Sequence, residues 1–319
     1  MKTYTIENDY IIAKICNYGA TLTSLYVKKY NVDVVLGFND LKKYKNEGKY
    51  FGQTIGRMSN RIKDGTFLLD NVQYNLELND NDINNLHSGS NGLHTKLFKV
   101  IQEEKKISCY YTLKDKEDGF PGALDVIVIY ELDDNSLNIT MNAKAYDNTI
   151  CSLTNHSYFN LKGNGNIEDH YLWINADYIG ELSDTYVTTN KKLNLVNLPM
   201  NFNEPQLIKS VVNNNHPQIL LAKGLDHNYC LNGEGFALKA ILSYLDREMK
   251  IYTDRSNMHV YTGNYFDGQV GKNEEVYYPR SGIAFETQEY PNSINYLINK
   301  KPILLKDDTY TNVVKFEFN

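Results

Sequence analysis

Arginine is scarce in this chain. Only Arg57, Arg61, Arg247, Arg255 and Arg280 stand among 319 residues. Lysines bring the basic count to 33 against 39 acidic residues, leaving a formal charge of −6 and a pI near 5.7. A protein that grips phosphate backbones carries a basic face, so this balance predicts no nucleic-acid partner. Cysteine is sparse too. Cys16, Cys109, Cys151 and Cys230 show no CxxC or CxxH spacing, which argues against a disulfide framework or a zinc ribbon. No stretch approaches the ~18–20 apolar residues of a membrane span. The start, Met1-Lys2-Thr3-Tyr4-Thr5-Ile6-Glu7, lacks the apolar run of a secretory signal. These absences predict a cytoplasmic protein with no membrane partner.

Chemical motifs are missing as well. There is no GxGxxG or Walker loop, no GxSxG elbow, and no HxH or HExxH cluster. Neither a nucleotide cofactor nor a bound metal is expected. The composition, 42% hydrophobic and 23% charged, is ordinary for a folded protein.

What the chain does have is tyrosine (26 residues), much asparagine, and a period of two. From Leu137 to Ala145 the odd positions are Leu137, Ile139, Met141, Ala143 and Ala145, while Asn138, Thr140, Asn142 and Lys144 alternate with them. That alternation predicts a half-buried strand. Leu124–Leu132 is a β-branched run, and Asp133-Asp134-Asn135 supplies a turn between the two, predicting a hairpin. Further short runs fall at Tyr10–Ile15, Lys106–Leu113, Tyr171–Ala176, Ala237–Leu245 and Met249–Thr253, with a turn at Asp246-Arg247-Glu248. Asn79–Asn85 and Asn213–Asn215 read as loops. Helical periodicity is rare, and no linker or repeat interrupts the pattern. The expectation is all-β, a large antiparallel sandwich or barrel, with residues 1–319 as one domain.

Several polar segments break the strand pattern. Gly56–Ile62 contains Asn60-Arg61, a fork of donors suited to hydroxyls or carboxylates; by itself it also reads as a surface turn with its arginines in ion pairs. His87 lies in Asn85-Leu86-His87-Ser88-Gly89. His156 lies in Leu153–Leu161, among apolar and aromatic residues, where it suits proton transfer near neutrality or, equally, a satisfied core position. Asp226 stands in Gly224–Tyr229, where a turn-forming role is an equal reading. Glu286 stands inside the apolar run Gly282–Gln288, where a carboxylate is costly to bury unless paired or functional.

Taken in order, these segments resemble the aldose 1-epimerase (galactose mutarotase) family over nearly the whole chain. The resemblance is carried by Gly19-Ala20-Thr21-Leu22, Leu36-Gly37-Phe38, Gly56–Ile62, Leu86-His87-Ser88-Gly89 and Asp118-Gly119-Phe120-Pro121-Gly122. It continues through Thr154–Leu161, Asp226-His227-Asn228, Tyr261-Thr262-Gly263-Asn264, Phe285-Glu286-Thr287-Gln288 and Pro291. It implies a galactose mutarotase-like supersandwich that interconverts the α and β anomers of free hexoses, with no cofactor and no metal. By the same resemblance His156 is the general acid to the ring oxygen, Glu286 the general base at the anomeric hydroxyl, and His87 a hydrogen-bonding group near the ring oxygen. Asn60, Arg61 and Asp226 would bind sugar hydroxyls, with Ser157, Tyr158 and His259 completing the pocket. Acid and base are expected on opposite sides of the pocket, in a monomer or homodimer.

Departures from the family pattern are Ser88 where His-Gly-Gly is usual, His259 where glutamine is common, and Asn201-Phe202-Asn203 in place of an Asp-Phe-Arg version. Glu289 and Asn292 also stand where relatives often have other polar residues. Three other readings remain open. A hexose-6-phosphate epimerase would need a cation cluster. A sugar-binding module would need no acid and base. A glycoside hydrolase would pair two carboxylates, such as Asp226 and Glu286.

Overall fold

The computed structural model describes residues 1–297 and 300–319. Strands dominate it and lie mainly in three antiparallel sheets. The largest has nine strands, ordered Lys99–Gln102, Lys106–Leu113, Leu124–Asp133, Ser136–Ala145, Thr309–Phe318, Arg247–Thr253, Ala237–Tyr244, Tyr171–Ile174 and Gln206–Leu207. A six-stranded sheet runs Tyr158–Phe159, Ile283–Gln288, Asn257–Tyr261, Asp226–Leu231, Ala176–Leu182 and Thr188–Asn194. Four N-terminal strands, Thr3–Glu7, Ile11–Cys16, Thr21–Val27 and Val32–Asp33, form a third. No helix among the described residues is long and apolar enough to cross a membrane.

The predicted hairpin is present, with Leu124 opposite Ala145 and Asp133 opposite Ser136. Leu137, Ile139, Met141, Ala143 and Ala145 are buried while Asn138, Thr140, Asn142 and Lys144 are less so, as alternation across a strand requires. Two expectations shift. The Tyr171–Ala176 run divides at Asn175, because Tyr171–Ile174 pairs with Ala237–Tyr244 whereas Ala176–Leu182 belongs to the six-stranded sheet. The turn expected at Asp246-Arg247-Glu248 sits earlier, with Tyr244 opposite Arg247.

Faces of all three sheets meet in one apolar cluster. Ile11 and Ala13 come from the N-terminal sheet, Val126, Val128 and Ile139 from the largest, and Met258, Val260, Ile283 and Phe285 from the six-stranded one. Phe159 bridges Phe285 and Phe316 there, at ring separations of 6.3 and 4.6 Å. The six-stranded sheet thus gives one face to the core. Its other face, carrying Glu286, His259 and Asp226, is buried but polar, and that face positions the site.

Candidate active site

Strand alternation sets the floor. Glu286 lies opposite His259, and Tyr261 opposite both Ala284 and Asp226. Directly opposed positions on adjacent strands share a face, so Glu286, His259, Tyr261 and Asp226 project together. They line a cleft of about 380 Å³ with Lys49, Tyr50, Asn60, Arg61, Asp80, Asn81, Leu86, His87, His156, Tyr158, Tyr186 and Tyr265.

Irregular segments supply the walls. Asn60 takes a left-handed backbone conformation, φ 62°, which asparagine tolerates well. Its N–H donates to His87 Nδ1 at 3.1 Å, and His87 N–H donates back to the Asn60 carbonyl at 3.2 Å. Two motifs distant in sequence are clasped together in this way. His87, Ser88 and Gly89 all have positive φ, 53°, 69° and 86°. Ser88 meets that demand without being glycine because its hydroxyl accepts from Met58 N–H (2.8 Å) and donates to the Met58 carbonyl (3.1 Å).

Acid and base candidates lie side by side. His156 Nε2 is 3.5 Å from Glu286 Oε1, and both side chains are buried. The expected placement on opposite sides of the pocket is therefore corrected. The reason is topological: Ile283–Gln288 pairs with Tyr158–Phe159, immediately beyond His156. One polar atom each of His87, His156 and Glu286 falls within 4.8 Å of the others. Sequence spacing shows no such cluster, and its size would suit a metal ion. Yet Asn60 occupies Nδ1 of His87, and burial, then the charges of His156 and Arg61, push that imidazole's pKa well below its ordinary value. His87 is neutral with its proton on Nε2, so it presents a hydrogen-bond donor rather than a metal-ligating lone pair.

The other end of the cleft is held by charges. Asp226 Oδ1 receives a hydrogen bond from His259 Nε2 at 2.7 Å, and Asp226 Oδ2 is 4.0 Å from Arg61. Burial raises the Asp226 carboxyl's pKa, but that bond and the charges of His259 and Arg61 outweigh it and hold the group below its usual range. Arg61 is fixed in turn by Asp80 at 2.7 Å and lies over the Tyr186 ring at 5.6 Å. Lys49 donates to the Tyr265 carbonyl at 2.8 Å. Meanwhile Glu286 Oε2, His156 Nδ1 and His259 Nδ1 are buried without a partner among the described residues. Buried polar atoms normally find one, and a ligand rich in hydroxyls would supply it.

Of the residues singled out in the sequence, Asn60, Arg61, His87, His156, Tyr158, Asp226, His259 and Glu286 converge on this cleft. Ser157 does not. Its hydroxyl and N–H both turn to Asn155 Oδ1, at 2.6 and 3.1 Å, because the residue after His156 points to the other side of an extended chain. Arg57 is also structural, buried on the Pro121 and Gly122 carbonyls and the Thr149 hydroxyl. The surface-turn reading of its segment fails for both arginines, although Arg61 is indeed ion-paired. Tyr50, Asp80, Tyr186 and Tyr265 line the cleft from loops outside every motif, and nothing in their local sequence marks them.

A polar cleft on the buried face of a large antiparallel β-sandwich, with an imidazole and a carboxylate side by side and a second imidazole presenting a donor, defines an acid–base enzyme. The aldose 1-epimerase family model matches residues 2–317. Galactose mutarotase from Sus scrofa is 36% identical over 329 positions, covering 100% of this chain and 94% of that protein. Aldose 1-epimerase from Escherichia coli (strain K12) is 26% identical, covering 98% and 93%. Among solved structures, the aldose epimerase homologue from C. elegans superposes with a TM-score of 0.92 at 26% identity, covering 100% and 98%. Galactose 1-epimerase from Lactobacillus acidophilus NCFM gives 0.88 at 28%, covering 99% and 94%. The chain belongs to the aldose 1-epimerase family and is an isomerase with aldose 1-epimerase activity.

Proposed function

We propose that the protein interconverts the anomers of free hexoses such as galactose and glucose, with Glu286 as base and His156 as acid. The observation that carries this is their 3.5 Å approach. The anomeric hydroxyl and the ring oxygen of an aldose are bonded to the same carbon. Groups that serve both must be neighbours, as these two are. Glu286 takes the proton from the anomeric hydroxyl while protonated His156 gives one to the ring oxygen. The bond from C1 to the ring oxygen breaks, an aldehyde forms, and rotation about C1–C2 exposes its other face. Closure runs the two transfers backwards and returns both groups to their starting states. Proton transfers of this kind contribute about 10²–10⁴-fold each. The Nε2–H of His87 stabilises charge developing on the ring oxygen.

Asp226, Arg61, Asn60, His259 and Tyr158 bind the remaining hydroxyls and hold the ring against the pair. The pairing of the cleft's charges separates this reading from the others. Lys49 and Arg61 are its lining lysine and arginine among the described residues, and the charge of Arg61 is balanced by Asp80 and Asp226, which leaves poor provision for a phosphate dianion. In a hydrolase the second carboxylate must be free to attack the sugar or to activate water, whereas Asp226 is tied to His259 and Arg61.

Site residues run from Lys49 to Glu286, which supports treating residues 1–319 as one catalytic domain. Four unbonded cysteines suit a reducing compartment and a cytoplasmic enzyme, monomer or homodimer. Polarimetry of freshly dissolved α-D-galactose and α-D-glucose in a weakly catalytic buffer tests the proposal. Enzyme should hasten approach to an unchanged final rotation. If neither sugar responds while glucose 6-phosphate does, the free-hexose reading is wrong.

A further inference from the structure

The segment before the first arginine motif, Gly48 to Gly52, is unusual in its backbone. Gly48, Lys49, Tyr50 and Gly52 have φ of 64°, 65°, 59° and 67°. Glycine adopts this region freely, but lysine and tyrosine do so only at a cost in free energy. Such strain persists where surrounding contacts impose it, and it clusters at functional sites.

Here the contacts converge on His156. Gly52 N–H donates to the His156 carbonyl at 3.0 Å, and His156 N–H donates to the Gln53 carbonyl at 2.9 Å. Gln53 N–H closes the turn on the Tyr50 carbonyl at 3.1 Å. The strained turn is therefore indexed to the backbone of His156 itself. From it the Tyr50 ring reaches three imidazoles, His87 at 4.7 Å, His94 at 5.0 Å and His156 at 5.7 Å. The Tyr158 ring also packs on His156, at 4.9 Å, and its hydroxyl donates to the Lys49 carbonyl at 3.0 Å. Two tyrosines tied to one turn thus pack on the same imidazole. Nδ1 of His156 has no partner among the described residues, so ring packing, not a hydrogen bond at that nitrogen, sets the imidazole plane.

We infer that Tyr50 is a positioning residue for the reaction, its flat ring setting the planes of His156 and His87 against the sugar. This rests on the acid–base reading above and adds to it a role for a residue outside the pair. Burial raises the Tyr50 phenol to about 12, so the ring acts uncharged, and its planar bulk rather than its hydroxyl carries the effect.

Steady-state mutarotation of galactose by Tyr50→Phe, Tyr50→Leu and Tyr50→Ala, with melting temperature as a folding control, tests this. Tyr50→Phe should keep kcat within about threefold. Tyr50→Leu and Tyr50→Ala should lose on the order of 10²-fold in kcat with little change in KM, the scale of a small misplacement of reacting groups. Full activity in Tyr50→Leu would show that any bulk suffices and would overturn the inference. So would a raised KM in Tyr50→Phe, which would make the hydroxyl a sugar contact. If Tyr50→Ala does not fold, the other two variants still decide. Should His156→Ala and Glu286→Gln remain active, the acid–base reading fails; with those two inactive and Tyr50→Leu normal, this inference alone fails.

Discussion

The two ends of the cleft are built on opposite principles. At one, Asp226 with His259 and Arg61 with Asp80 form charge-assisted hydrogen bonds of 2.7 Å, the two pairs meeting at 4.0 Å, although Nδ1 of His259 is left without a partner among the described residues. At the other, Glu286 and His156 approach only to 3.5 Å and each keeps a buried polar atom unsatisfied. A paired carboxylate holds its charge and its place, which suits binding. A group that must take up and release a proton in each turnover cannot be so committed. The difference assigns the ends, one to hold the sugar and one to react with it.

Substitutions should separate them. Glu286→Gln keeps shape but removes the base, and His156→Ala removes the acid; each should lower kcat by roughly 10²-fold or more with KM little altered. Near-normal turnover in either would take that residue out of the mechanism. Asp226→Asn should act the other way, raising KM by about 10- to 100-fold through loss of charge-assisted hydrogen bonds while sparing kcat. A kcat collapse with unchanged KM would erase the distinction between the ends.

Histidines outside the proposed machinery sharpen the contrast through stability. Burial depresses the pKa of His94, His170 and His227 to about 4 in each case, against about 6.5 in an unfolded chain. Between those values the unfolded state binds more protons. Each therefore contributes stability that is complete above pH 6.5 and lost as pH falls toward 4, up to about 3 kcal/mol apiece. Melting temperature should drop steeply over that window, and His227→Gln should flatten the drop. A flat profile in the parent protein would contradict these histidines being buried and neutral. Smallest of all, Ser157→Ala should leave kcat and KM within about twofold and cost about 1 kcal/mol of stability, the worth of one hydrogen bond. A large rise in KM would return Ser157 to the sugar site.

How much of this is legible along the chain depends on whether burial and chemistry alternate together. In Ser136–Ala145 they do, with one face less buried, and the strand, its turn and its partner can all be read. In Ile283–Gln288 every residue is buried, and only chemical alternation, Ile283 and Phe285 against Glu286 and Gln288, marks the reactive face. Glu286 stands out because a carboxylate in an apolar strand needs a reason. Tyr50 and Asp80 give no comparable sign, for tyrosines are everywhere in this chain and an aspartate in an asparagine-rich loop is ordinary. Ser157 misleads because nearness in sequence is not nearness across an extended chain.

Local patterning accounts for the all-β architecture, the order of motifs that marks the family, and the side chains available for proton transfer. Those are properties of near neighbours, where periodicity and backbone preference act. The contact of His156 with Glu286, the Asn60 clasp that sets the His87 tautomer, and the pairing of His259 that commits Asp226 to its charge come from folding instead. Each joins residues at least 27 positions apart, and proton positions and charge states depend on distances and burial that exist only once the sheets have closed over the cleft.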